Sequence, residues 1–131
     1  MRKSYKSECR AWYEQRLRLG VEPHEAVGYV YSWHEEGEPA ECKIGYCSKD
    51  PFQYLWEGTA LSHQKRLPVI FLSIGTRTVA AAKLVEQQLH SLLESKHMSR
   101  SCAREWFVAH RDEVCESAKS VVRAMEAEGA I

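Results

Sequence analysis

Apolar and polar positions change their period several times along the chain, and each change marks an element. Over residues 4–20, "SYKSECRAWYEQRLRLG", the residues Cys9, Trp12, Tyr13 and Leu17 fall on one helical stripe. Gly20 offers a C-terminal stop, so the spacing predicts a first helix. Pro23 then opens a short helical turn in "VEPHEA". The period shortens after that. "GYVYSW" is aromatic and β-branched, "EEGEP" is turn material, and "ECKIGY" reads as a returning strand. These predict a β-hairpin with a loop longer than two residues. By strand alternation Tyr29, Tyr31 and Trp33 share one face, and Val30 and Ser32 the other. Lys43 lies on the partner strand, opposite Tyr31 in one of the registers available.

Asp50-Pro51 starts a second helical stretch, "FQYLWEG", which Gly58 closes. A polar loop leads to Pro68 and "VIFLSI", apolar enough for a central strand. Thr76 or Thr78 is placed to cap the next helix, "VAAAKLVEQQLHSLLES", whose Leu84, Val85, Leu89, Leu92 and Leu93 form a broad apolar stripe. "EWFV" is a short apolar edge, and "RDEVCESAKSVVRAMEAEG" a final helix. The order predicts an α+β fold: a small three-stranded antiparallel sheet flanked by helices, with extra N- and C-terminal helices.

Composition narrows the class. The 131 residues suit one domain that buries a core without disulfides or metal. No run is long enough for a membrane span, and the basic N-terminus lacks the apolar stretch of a signal peptide, so a cytoplasmic location is expected. The five cysteines include no CxxC pair and read as reduced thiols packed as small hydrophobes. Cys42 and Cys47 have no second Cys/His pair at a zinc-binding distance. Net charge is zero, which argues against a strongly basic nucleic-acid binder, yet the charge is segregated. Residues 1–20 hold six Lys/Arg against two Asp/Glu, and residues 61–111 eight against three, while 21–60 and 112–131 are acidic. A fold can gather the two basic blocks on one face or leave four solvated surfaces.

Two sets of residues offer chemistry. Glu86 and His90 are four apart and therefore adjacent on one helix face. A carboxylate at the margin of an apolar stripe suits a hard divalent cation that takes its other ligands from water and phosphate. An ordinary surface Glu–His pair accounts for the same spacing. On the hairpin, Tyr31 is a poor base at its usual pKa of ~10, although a neighbouring lysine or metal ion favours the phenolate. Three aromatics making a sheet core account for that pattern equally.

Taken in order, "GYVY" at 28–31, "KIGYCSKDP" at 43–51, Pro68, "VEQQLH" at 85–90 and "EWF" at 105–107 resemble the GIY-YIG nuclease superfamily. The closer similarity is to the phage and bacterial branch in which KIG replaces the second tripeptide and a helix carries E-x-x-x-H. The resemblance covers residues 27–114, leaving 1–26 as an N-terminal helical extension and 115–131 as a C-terminal helix of one domain. It implies hydrolysis of nucleic-acid phosphodiesters, DNA favoured, with Mg2+ or Mn2+ as cofactor. It makes Tyr31 the base or water-orienting group and Glu86 the metal ligand. Lys43 stands at the second tyrosine's position, to bind phosphate or bias Tyr31 toward its anion; His90 supports Glu86 or contacts the scissile region as a third catalytic residue, and Gly45 permits close backbone approach. After Asp-Pro the family normally carries an arginine for phosphate; here Tyr54 occupies that position. Arg66 or Arg77 reaching the cleft from another side is one repair. The other reading is a catalytically degenerate module that binds protein or nucleic acid without cutting. A homodimer remains open.

Overall fold

The structure, a computed structural model, describes residues 15–51, 68–97 and 106–129. Strands β1 (Gln15–Leu19), β2 (Gly28–Glu35), β3 (Cys42–Cys47), β4 (Pro68–Thr76) and β5 (Trp106–Phe107) form one sheet. Helices α1 (Val79–Leu92) and α2 (Arg111–Ala127) pack on it. The strand order is β1-β4-β2-β3-β5, with β1 parallel to β4 and the other pairings antiparallel. The fold is α+β, as expected, but the sheet is mixed and five-stranded rather than three-stranded and antiparallel.

The largest correction is at the N-terminus. Gln15–Leu19 is a strand, not the end of a helix; residues 4–14 of that expected helix lie outside the described residues. Leu19 is buried and Leu17 half-buried against the core, while Arg16 and Arg18 are exposed. Two positions apart on a helix point roughly 200° away from each other, so a helix cannot turn both leucines inward. A strand does so by alternation.

The hairpin formed as its pattern indicates, with a loop longer than two residues in which Gly37 takes φ 84°. Its register places Gly45 opposite Tyr31 and Lys43 opposite Trp33. Lys43 therefore does not pair with Tyr31. A register shift between Ser32 and Trp33 in the β2–β4 ladder keeps Ile70 opposite Trp33.

Thr78, not Thr76, caps α1: its hydroxyl accepts from the Ala81 amide at 3.0 Å. Thr76 ends β4, and its hydroxyl faces the Gly28 and Thr78 carbonyls at 3.0 and 2.7 Å, tying strand to cap. The buried stripe of α1 is Ala82, Val85, Glu86 and Leu89, followed by Leu93 just past the helix. Leu84 and Leu92 are exposed, because they flank that stripe on the solvent side. Each fully buried Val or Leu contributes about 1.5–3 kcal/mol.

Helix α2 is not an appendage. Val114, Cys115, Ala118, Val121, Val122 and Met125 enter the same core as α1. The Arg111 amide donates to the Pro39 carbonyl at 2.9 Å, anchoring the helix start to the hairpin loop. No helix among the described residues is long and apolar enough to cross a membrane.

Candidate functional site

Strand alternation divides the sheet into two faces with different contents. Val30, Ile44, Leu72 and Ile74 meet α1 and α2 in the main core. The opposite face carries Tyr31, Trp33, Cys47 and Ile70 as a second buried cluster, with Tyr29 and Trp106 packed against it. Trp33 and Trp106 meet edge to face at 5.2 Å. The sequence pattern of aromatics at 29, 31 and 33 is thus a packed layer, with Tyr31 only 2% exposed.

Within that layer Tyr31 leans toward β3. A Cβ built on Gly45 would lie 2.6 Å from the Tyr31 hydroxyl oxygen and 2.8 Å from its Cζ. Real Cβ contacts are never that short, so residue 45 must be glycine for the phenol to lie there. Lys43 projects from the same face two residues earlier, its Nζ 5.9 Å from the centre of the Trp33 ring, within cation–π range.

The helix side meets β3 at the same tripeptide. His90 Nε2 lies 3.0 Å from the Ile44 carbonyl oxygen. A carbonyl only accepts, so Nε2 carries the proton. Ile44 sits between Lys43 and Gly45, and the His90 ring also packs on Phe107 at 4.9 Å. Because β5 pairs only with Cys42 and Lys43, the outer edge of β3 beyond them has no strand beside it among the described residues. That open edge is where α1 reaches the backbone. Glu86, one turn earlier on the same helix face, is buried.

A buried carboxylate in an apolar stripe is costly unless compensated. The described residues contain no group of three His, Cys, Asp or Glu placed to hold a metal. The described residues therefore offer no all-protein metal cage.

The remaining expected residues divide. Tyr54 and Arg66 lie outside the described residues. Arg77 donates from Nη2 to the Gly20 carbonyl at 2.9 Å, holding the end of β4 to the end of β1. It lines an open groove with Arg16, Arg18, Glu22 and Glu25, three strands away from β3 in the sheet order. Arg16 and Arg18 stand on the exposed face of a strand and not on the expected helix. The signal that reveals them is the two-residue alternation of "QRLRL".

Three neighbouring groups stay neutral. Burial pushes the Cys42 thiol up to about 12, with Cys115 adding to the rise. It donates to the Ala109 carbonyl at 3.2 Å. Burial also lifts Cys47 to about 11, and its thiol donates to the Lys49 carbonyl at 2.9 Å. Cys42 and Cys47 belong to opposite faces of β3, so they do not form a zinc pair. The phenol of Tyr29 is raised by burial and by Asp50 and Cys47. It donates to the Ala26 carbonyl at 3.4 Å and serves as a strut.

Residues 28–125 match the T5orf172 domain family. The match begins at the first residue of β2 and includes most of α2, further than the expected boundary at 114. Neither the curated proteins nor the solved structures contain a match.

Proposed function

The chain belongs to the T5orf172 domain family, a GIY-YIG-like, nuclease-related family, and on that premise we propose that it hydrolyses phosphodiester bonds in nucleic acid, DNA favoured. The observation that carries this reading is the convergence on residues 43–45. The Tyr31 hydroxyl lies over Gly45 from one face, and His90 of α1 binds Ile44 from the other. Glu86, one turn before His90, is buried on the α1 side of the sheet, opposite to the Tyr31 face, so in this reading the two act together past the edge of β3.

In this reading Tyr31 orients the attacking water or takes its proton. Lys43 supplies a fixed positive charge for the phosphate, and Gly45 leaves room for the phenol. His90 positions α1. Glu86 holds a Mg2+ or Mn2+ ion, which when bound neutralises charge developing on the phosphate and leaving oxygen. In this reading the lysine at position 43 matches the branch with KIG as second tripeptide. The test is nicking of supercoiled plasmid by the purified full chain with magnesium or manganese. Tyr31→Phe and Glu86→Ala should each abolish it, and no cleavage at high enzyme with either metal overturns the proposal.

A second reading, a scaffold that binds nucleic acid or protein without cutting, draws on two observations. Tyr54 stands where a phosphate-binding arginine is expected, and a neutral phenol does not replace a guanidinium fork. Tyr31 is also almost fully covered, whereas a base must meet water. This reading expects a complex without hydrolysis, and recovery of some cleavage in Tyr54→Arg.

A further inference from the structure

We propose that Arg16 and Arg18 of β1 bind the backbone phosphates of a nucleic-acid strand at the groove they line on the Tyr31 side of the sheet. This rests on the reading of that face as a nucleic-acid site. Strand β1 lies before the matched region, which starts at residue 28. Its parallel pairing with β4 sets it at one edge of the sheet.

The register does the placing. Arg16 pairs with Ser73, Ser73 with Tyr31, and Tyr31 with Gly45, forming one row across four strands. Arg18, Gly75, Tyr29 and Cys47 form the next. Residues in register project from the same face of a sheet. Atomic contacts agree: a Cβ on Gly75 would lie 3.8 Å from Tyr29 Cε1 and 3.9 Å from Arg18 Cγ. Both arginines are therefore on the aromatic face and exposed, whereas Ser73 and Gly75, between them and the tyrosines, are buried, with Ala26 Cβ 3.1 Å from a Cβ built on Gly75.

Spacing assigns them a role. Strands lie about 4.8 Å apart, so β1 is roughly 14 Å from β3. At a rise of about 3.4 Å per nucleotide, that is about four nucleotides from the bond over Gly45. Arg16 and Arg18 therefore grip flanking phosphates and do not replace the missing arginine near position 54. Arg77 lines the same groove, as do Glu22 and Glu25. Arg18 pairs with Glu22 at 3.3 Å, but both side chains are exposed. Such pairs contribute little and are exchanged readily for a polyanion. Guanidinium forks suit phosphate oxygens in pairs.

The experiment is fluorescence anisotropy of a labelled DNA duplex with the full chain in EDTA, between 50 and 200 mM salt. The parent is compared with Arg16→Gln, Arg18→Gln, the double variant and Arg16→Lys, with Arg123→Gln on α2 as a charge control. Each phosphate contact contributes about 0.9 to the slope of log affinity against log salt. The double variant should lose about 1.8 of that slope and bind at least tenfold more weakly at low salt. Arg16→Lys should keep the slope. Where the parent cleaves, the double variant should raise KM and leave kcat in place. A double variant with the parent's affinity and slope overturns the proposal, as does an equal loss in Arg123→Gln. A parent that binds through these arginines yet never cleaves overturns the nuclease reading alone. A parent that cleaves normally when both arginines are replaced overturns this inference alone, and a parent that binds no nucleic acid overturns both.

Discussion

The hydroxyl of Tyr31 lies over the Cα of Gly45, filling the place where a side chain would begin, 2.6 Å from a built Cβ. The two residues face each other across the β2–β3 ladder. The phenol is buried and has little freedom to swing aside.

Gly45→Ala is therefore expected to displace the phenol while leaving the backbone φ unstrained, since Gly45 is not among the positive-φ glycines. Overpacking of this kind costs about 1–3 kcal/mol. Loss of a positioned base or water-orienting group costs about 10²-fold or more in rate. Single-turnover cleavage should fall at least that far in Gly45→Ala. In a Tyr31→Phe background the added methyl should cost little further rate, because the two changes act on one group. Cleavage by Gly45→Ala at the parent rate would remove Tyr31 from the mechanism.

Gly28 opens the other tripeptide and is constrained differently. A Cβ there would lie 2.4 Å from the Thr78 carbonyl oxygen and 2.8 Å from Thr76 Oγ1. The obstacle is backbone at the cap of α1, not the far end of a side chain. Gly28→Ala should lower stability by about 3 kcal/mol or more, seen as a lower urea midpoint. A midpoint unchanged from the parent would mean that the strand–cap junction is loose. The two glycines thus separate by assay, one reporting on rate and the other on folding.

How much of this was legible depended on how local each signal is. The hairpin, β4, α1 with a threonine cap at 76 or 78, and α2 all follow from periods and turn residues within a short window. Strand β1 did not, because Trp12, Tyr13 and Leu17 satisfy a helical stripe as well as Leu17 and Leu19 satisfy a strand. Its parallel partner β4 is some fifty residues away, beyond any local pattern. The register that sets Gly45, not Lys43, against Tyr31 also rests on pairing that a long hairpin loop does not fix. Glu86 and His90 were visible from their spacing, but the Ile44 carbonyl that receives His90 is a backbone atom with no residue-type signature.

That hydrogen bond gives a third prediction. His90 contributes a donor to Ile44 and a ring against Phe107. His90→Phe keeps the ring contact and deletes the donor, which should cost about 1 kcal/mol in denaturant unfolding. His90→Ala loses both and should cost more. Equal stability of His90→Phe and the parent would show that the bond does not hold α1 to β3.

The last prediction concerns alkaline pH. In the native state Cys42 keeps its proton up to about 12 and Cys47 up to about 11, against an ordinary thiol value of 9.0. Tyr29 is shifted in the same direction. Above about pH 9 the unfolded chain releases thiol protons that the folded chain retains, so the unfolded state binds fewer protons and stability falls as pH rises. The contribution is complete below pH 9 and is lost progressively toward pH 11–12. Melting temperature should therefore be level from pH 7 to 8.5 and then decline. Cys42→Ala should melt lower at neutral pH, since it empties a buried position bonded to the Ala109 carbonyl, yet decline less steeply above pH 9. A variant whose alkaline slope matches the parent's would show that the buried thiol does not govern that decline.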